Sequence, residues 1–284
     1  KQFSDSKITI IDKEKSLGVH ASGRNSGVLH AGFYYSDNSL KAKLCRNGNA
    51  YWHSYCLEKK LKINQCGKIV IARNEDEIDR LDELYRRGQK NSVELELITE
   101  KQAKEIEPNI NTFVRALFSP TTATIDPHEI LASISKDVLN ANIEIIYNRQ
   151  FLKKIDNIII TNNGHFEPGY LINASGLYAD VIAREYDFSR EYKILPFKGL
   201  YLHAKKDTLK LRTNVYPVPD LENPFLGVHF TVTVDNKTMI GPTAIPAFWR
   251  ENYSYLNNFN LNEFLEIISL ESSLFINNNF GFRG

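Results

Sequence analysis

A short apolar run that stops at an acid, followed by a loop crowded with glycine, most constrains what this chain can fold into. Ile8, Thr9, Ile10 and Ile11 read as a short buried strand, and Asp12 stands at its tip. An acid at the carboxyl end of a buried parallel strand is where nucleotide folds hold a ribose by its hydroxyls. The loop that follows carries Gly18, Gly23, Gly27 and Gly32, with Ser22, Asn25, Ser26, His20 and His30 set among them. Such a loop lets backbone approach a bulky ligand closely and donate hydrogen bonds to it.

A second segment repeats the theme. Phe166 to Ile172 reads as extended, with a strand from Tyr170 to Ile172. It enters the small-residue turn Asn173-Ala174-Ser175-Gly176, and a helix begins near Leu177 and passes Asp180. Amides at that helix start are placed to meet a dinucleotide.

Between and after these segments the elements are ordinary. Ser39 to Leu61 reads as a helix with Leu40, Leu44, Tyr51 and Tyr55 on one stripe. Gly67 to Ala72 is a strand. Asn74 with Glu77 forms a capping pair for a helix whose apolar face is Ile78, Leu81 and Leu84. Thr99 with Gln102 caps a short helix ending before Pro108. Asp126-Pro127 opens another that carries Ile130, Leu131, Ile134 and Val138. Strands follow at 143–147, 151–155 and 158–161, the last two turned at Asp156-Asn157. From Tyr192 the pattern becomes β-rich: 194–204, 225–234 and 238–241, with a hairpin at Asp235-Asn236. Asn277-Asn278-Asn279 reads as a loop.

Composition narrows the class. A chain of 284 residues with 42% hydrophobic and 24% charged residues can bury the cores of two domains. A net charge of +1 with dispersed basic residues leaves no electrostatic footprint for nucleic acid. No apolar run reaches the roughly 18 residues needed to span a bilayer, although peripheral membrane contact stays compatible with this composition. Cys45, Cys56 and Cys66 form no CxxC pair and no Cys/His metal spacing, so they read as buried thiols of a cytoplasmic protein, and no metal is expected.

The stretch from His20 to Cys45, the Asn173–Asp180 turn, Leu195-Pro196-Phe197-Lys198-Gly199, Tyr216-Pro217-Val218-Pro219, Pro224 to Thr231, and Gly241-Pro242 together resemble the L-2-hydroxyglutarate oxidase/dehydrogenase branch of the D-amino-acid-oxidase-like flavoenzymes. The resemblance runs across essentially the whole chain. It implies an α/β fold: a Rossmann-like FAD-binding domain (1–66 and 126–186) beside a substrate domain on a mostly antiparallel sheet (67–125 and 187–284). It implies oxidation of L-2-hydroxyglutarate to 2-oxoglutarate, with electrons passing to oxygen or to a membrane quinone. Asp12, Lys13, Ser22, Asn25, Ser26, Gly27, Ala174, Ser175, Gly176 and Leu177 would then hold FAD.

The chemistry asks for a base near working pH, and histidine is the usual choice. His229, on an apolar strand between Val228 and Phe230, and His30, in the glycine loop, are the two candidates for lining the reaction site. A dicarboxylate also asks for cations, for which Lys198, Arg24 and Lys43 adjoin the motifs. The strand-end acid ordinarily follows a Gly-x-Gly-x-x-Gly turn by about 20 residues, and no such triplet precedes Asp12. The chain therefore reads as an internal fragment of a longer protein, lacking that first strand and turn. Three alternatives stay open: a related amine or amino-acid oxidase, a glycerol-3-phosphate oxidoreductase, or an inactive truncated product.

Overall fold

The computed structural model describes residues 5–205, 208–220 and 227–279. Expectations for residues 1–4, 224–226 and 280–284 lie outside them. Packing divides the chain into two compact units. One comprises the residues up to Asn25 with Pro127–Phe197 and Pro246–Ser273; the other comprises Ser26–Asp126, Lys198–Ile245 and the residues from Leu274.

In chain order the elements begin with β1 (Thr9–Ile11), β2 (Val28–Leu29), α1 (Leu40–Lys59), β3 (Ile63–Asn64), β4 (Lys68–Ile71) and α2 (Asp76–Lys90). There follow β5 (Glu96–Thr99), α3 (Glu100–Ile106), β6 (Arg115–Ser119), β7 (Ala123–Ile125), α4 (Pro127–Asn140) and β8 (Glu144–Ile146). Then come β9 (Phe151–Ile155), β10 (Ile158–Thr161), β11 (His165–Phe166), α5 (Ala179–Glu185) and β12 (Phe197–His203). The last are β13 (Asn214–Pro217), β14 (His229–Val232), β15 (Thr238–Pro246) and α6 (Leu261–Asn277).

In the first unit β1 and β8 pair in parallel, Thr9 with Glu144 through Ile11 with Ile146. The ladder continues one residue further, where Asp12 N donates to Ile146 O at 3.0 Å. β9, β10 and β11 form an antiparallel meander, its first turn made with Asp156 at φ +50°. The expected strand at Tyr170–Ile172 is not formed, and Tyr170 and Ile172 are 86% and 79% exposed. An extended segment needs a neighbour to complete its ladder, and no strand among the described residues pairs with it. The helix expected near Leu177 starts as a 3₁₀ turn at Gly176–Tyr178, and α5 proper begins at Ala179.

The second unit is built on a seven-stranded sheet in the order β12-β15-β14-β13-β4-β6-β5. The β13–β4 pair is parallel, whereas β13–β14, β14–β15, β4–β6 and β5–β6 are antiparallel, so the mostly antiparallel sheet is present. Strand alternation sends Val70 to one face with Phe33, Leu81, Leu84, Leu117 and Tyr216, and Ile69 to the other with Ile98, Ala103, Ala116 and Val215. Leu81 and Leu84 of α2 are fully buried, each stabilising by roughly 1.5–3 kcal/mol. Asn74 Oδ1 accepts from Glu77 N at 3.2 Å, and Thr99 with Gln102 makes a complete capping box.

The stripe expected on α1 is corrected. Its N-cap is Ser39, as the sequence suggests, but Leu40, Leu44 and Tyr51 are exposed and only Tyr55 of the four is buried. Ala42, Asn49 and Cys56 are the other buried residues. Asn49 Nδ2 donates to Leu29 O and Thr121 O, so a polar clamp rather than the leucine face sets the orientation of this helix. Residues 26–66 pack within the second unit and 246–273 within the first. Compactness divides the chain by packing, whereas the expected boundaries divide it by ligand.

Candidate active site

Two groups of side chains stand out, one in each unit. In the first unit the parallel β1–β8 pair sets Asp12 just past its carboxyl end. Asp12 Oδ1 accepts from Glu14 N at 2.9 Å, and Arg149 N donates to Asp12 O at 2.8 Å, so the half-buried carboxylate has a fixed backbone. The adjoining loop folds back tightly on itself. A Cβ at Gly23 would lie 2.0 Å from Gly18 O, so this glycine is required by the loop's own packing. Asn25 Nδ2 donates to Ala21 O and Ser22 O, and Ser22 is exposed.

Lys13 bonds to the carboxylates of Glu14 and Glu251. Burial alone would lower its pKa, but the two acids more than offset this and hold it above the usual lysine value. His20 bonds to Glu14 and to the Tyr253 hydroxyl. Glu14, His20 and Glu251 come close enough to share a cation. The Lys13 ammonium is already bonded to both acids and serves as that cation.

The second turn is held from both ends. Ser175 Oγ donates to Asn173 Oδ1 at 2.7 Å, and Asn173 Nδ2 donates to Ala179 O at 2.8 Å. Ala174 is exposed, and Gly176 takes φ +57°. Leu177 O accepts from Arg250, whose guanidinium also forms a two-pronged pair with Asp180 at 2.8 and 2.9 Å. Burial pushes the Asp180 carboxyl up, but Arg250, Ile194 N and Arg184 hold it below the usual aspartate value.

In the second unit, β14 carries His229, buried and stacked on Tyr216 of β13 with ring centres 3.6 Å apart and planes 18° apart. His229 Nδ1 lies 2.8 Å from Gly227 O. A carbonyl only accepts, so Nδ1 carries the proton and Nε2 keeps its lone pair. Burial lowers the pKa of this ring to about 4, with Gly227 acting upward and Lys68 downward. His229 is therefore neutral at physiological pH. His30 meets Tyr216 edge-on at 6.4 Å. Lys68 Nζ lies 3.3 Å from His30 Nδ1. Among the described residues the buried Tyr34 hydroxyl has no hydrogen-bond partner, and the Tyr216 hydroxyl has Thr231 Oγ1 only as a poorly aligned neighbour. Unsatisfied buried polar atoms together with perturbed titrating groups are what a ligand site leaves behind when read from protein alone.

The remaining expected residues are distributed. Ser26 is half-buried, and Gly27 O accepts from Ile125 N at 2.9 Å. Lys198 lies on β12, separated from His229 on β14 by β15. Arg24 donates its Nε to Val19 O at 2.7 Å and sets its guanidinium 4.1 Å from the Tyr253 ring. Lys43 is exposed on α1. Sequence reasoning missed Lys68, Tyr216, Arg250 and Glu251. For Lys68 the signal was there: one charged residue inside the apolar run 67–72.

The comparisons agree on what this chain resembles. The FAD dependent oxidoreductase (DAO) family model matches residues 2–269. The mitochondrial L-2-hydroxyglutarate dehydrogenase of Pongo abelii is 37% identical over 92% of the chain and 66% of the relative. The L-2-hydroxyglutarate dehydrogenase of an Escherichia coli strain is 34% identical over 94% of the chain and 64% of the relative. The chain thus spans less than two thirds of the length of these curated relatives. Among solved structures, an FAD-bound L-alpha-glycerophosphate oxidase from Mycoplasma pneumoniae superposes with a TM-score of 0.74 at 24% identity, over 94% of this chain and 73% of that one. Glycine oxidase from Geobacillus kaustophilus gives 0.72 at 19% identity, over 93% and 70%.

Proposed function

This chain belongs to the FAD dependent oxidoreductase (DAO) family, and from that premise we propose that the complete protein binds FAD and oxidises L-2-hydroxyglutarate to 2-oxoglutarate. The observation that carries the proposal is His229. It is a buried neutral imidazole with its proton committed to Gly227 O, in a chain whose curated relatives are L-2-hydroxyglutarate dehydrogenases.

The donor set fits the cofactor. Asp12 offers carboxylate oxygens to ribose hydroxyls at the end of a parallel strand, and Lys13, Ser22, Asn25, Ser26, Gly27 and the turn 174–177 are the residues that would hold the rest. In this reading 1–66 and 126–186 serve the nucleotide, and 67–125 and 187–284 serve the substrate. Bound FAD supplies the acceptor for the hydride that leaves the carbinol carbon. His229 takes the hydroxyl proton on Nε2 as the carbonyl forms, and Lys198, Arg24 or Lys43 meets a substrate carboxylate. The electrons then pass to oxygen or to a quinone. The same proposal places the protein in the cytoplasm, with peripheral contact at the inner membrane where a quinone is the acceptor. No helix among the described residues is long and apolar enough to cross a membrane.

Anaerobic bleaching of the flavin tests the substrate. L-2-Hydroxyglutarate should reduce it much faster than D-2-hydroxyglutarate, glycerol 3-phosphate or sarcosine. Faster reduction by sarcosine would move the protein to the amine-oxidising branch. Replacing Asp12 with alanine should weaken FAD binding by roughly 1–3 kcal/mol, the scale of a lost charge-assisted hydrogen bond. Titration of the apoprotein with FAD measures it, and an unchanged affinity removes Asp12 from the ribose.

A further inference from the structure

We propose that Lys68 is a positioning residue of the reaction site: its ammonium, boxed by Phe33, Tyr34 and Tyr216, donates to His30 Nδ1 and fixes that ring with its proton on Nε2. The proposal rests on the assignment of His30 and His229 to the reaction site, and its test is separable from it.

Lys68 is 0% exposed. It lies on β4, on the same face as Val70, where a leucine or methionine would serve packing better. Its Nζ stands 4.5 Å from the centre of the Tyr216 ring, 4.6 Å from Tyr34 and 4.9 Å from Phe33. Aromatic faces attract a cation and replace part of its lost hydration. The hydrogen-bond partner of this ammonium among the described residues is His30 Nδ1 at 3.3 Å. An ammonium has three donors and no acceptor, so while Lys68 is charged His30 must turn a lone pair toward it, and the ring proton sits on Nε2.

The two histidines flanking Tyr216 then hold opposite tautomers. His229 keeps its proton on Nδ1 and offers Nε2 as an acceptor, whereas His30 offers Nε2–H as a donor. A hydroxy acid needs both, an acceptor for its hydroxyl proton and a donor for an oxygen that gains carbonyl or carboxylate character. Burial, then Lys68, His229 and Lys41, lowers the His30 pKa well below the usual histidine value, so the ring stays neutral in this role.

Burial also lowers Lys68 to about 7, with Cys45 acting upward. His30, Tyr34 and Tyr216 touch the ammonium, Cys45 of α1 and His229 of β14 couple to it electrostatically, and Lys41 and Tyr35 act on His30 and on the two tyrosines. Below pH 7 the ammonium is present and the lock is complete; as pH rises through 7 the amine becomes neutral and the lock loosens.

Nitrogen-15 histidine spectra of the complete holoenzyme test this directly, with the rings assigned by His30→Gln and His229→Asn. In the wild type at pH 6, His30 should show a bare Nδ1 and a protonated Nε2; a proton on Nδ1 overturns the proposal with no variant needed. Lys68→Met keeps the shape of the buried chain. It should give mixed His30 tautomers, let the ring titrate closer to the ordinary histidine value, and slow flavin reduction about tenfold, the scale of losing a partner that orients a histidine. Lys68→Arg, always charged, should keep the tautomer and abolish the spectral change near pH 7. A His30 spectrum and titration unchanged in Lys68→Met also overturn the proposal. If L-2-hydroxyglutarate fails to reduce the flavin while the tautomers behave as described, the substrate assignment has failed and the role of Lys68 stands.

Discussion

Replacing His229 with asparagine in the complete enzyme should slow flavin reduction by about 100- to 10,000-fold, the usual cost of removing a general base, while FAD stays bound. The reason is the disposition of its two nitrogens. Nδ1 gives its proton to Gly227 O, and stacking on Tyr216 holds the ring plane. Asparagine preserves a donor toward Gly227 but offers no nitrogen lone pair to a hydroxyl proton. The pH dependence gives a second check. Burial puts the His229 pKa near 4, below the ordinary value of about 6.5. The ring must be neutral to accept a proton, so kcat/KM should hold as pH falls through 6 and decline only as it approaches 4. That acid limb should be missing from the variant. Stopped-flow reduction across pH measures both. Wild-type rates in His229→Asn would make the residue a packed strand histidine and return attention to His30.

The parts of this molecule readable from sequence are those set by local chemistry. Asn74 with Glu77, Thr99 with Gln102 and Ser39 announce helix starts because a side-chain oxygen must meet amides that the helix leaves open. α6 carries the same signal at Asn260 and Glu263, where Asn260 Oδ1 accepts from Glu263 N, although no helix was expected there. Faces of helices are less legible. The pattern at Leu40, Leu44 and Tyr51 has helical spacing, but spacing only says which residues share a face. Whether the face is buried depends on distant chain, here on Leu29 and Thr121 reaching Asn49. The strand expected at Tyr170 fails for a similar reason, since a ladder needs a partner that local sequence does not reveal.

The site divides in the same way. Motifs pointed to His229, His30 and Asp12 because their residue types carry chemistry in themselves. The meaning of Lys68 comes from rings on β13 and in the segment after β2, and that of Arg250 comes from Asp180, 70 residues away in the chain. Neither pairing follows from spacing. An arginine after Trp249 reads locally as a surface charge, and a lysine inside the apolar run 67–72 signals burial without naming its partners. What gives each its role is the set of groups that replaces its water, and that shows only when partners are known.

Asp180→Ala should destabilise the first unit strongly. The Arg250 side chain is 2% exposed, and Asp180 provides both oxygens of its two-pronged pair. Removing one partner of a buried pair leaves the other charge without compensation and costs about 3–5 kcal/mol. Leu177 O and Glu266, the latter at 3.8 Å, retain part of the compensation, which favours the lower end of that range. For a structure of this size it corresponds to a fall of roughly 6–20 °C in the Tm of the transition containing this unit. Replacing both residues with apolar ones, Asp180→Leu with Arg250→Met, should cost less than Asp180→Ala alone, because no charge then remains buried. The pH dependence has a definite sign. Although burial raises the Asp180 carboxyl, Arg250 holds its folded pKa below the usual aspartate value. Its contribution is therefore complete above about pH 4 and is lost as pH falls through the folded pKa. The difference between wild type and Asp180→Ala should be constant from pH 5 to 8 and shrink below 4. Calorimetry of the wild type, the single variant and the double variant at pH 7 and pH 3.5 decides it. A double variant less stable than Asp180→Ala would mean that the pair stabilises the turn by more than its charges, through the grip of Arg250 on Leu177 O that holds segment 173–180 in shape.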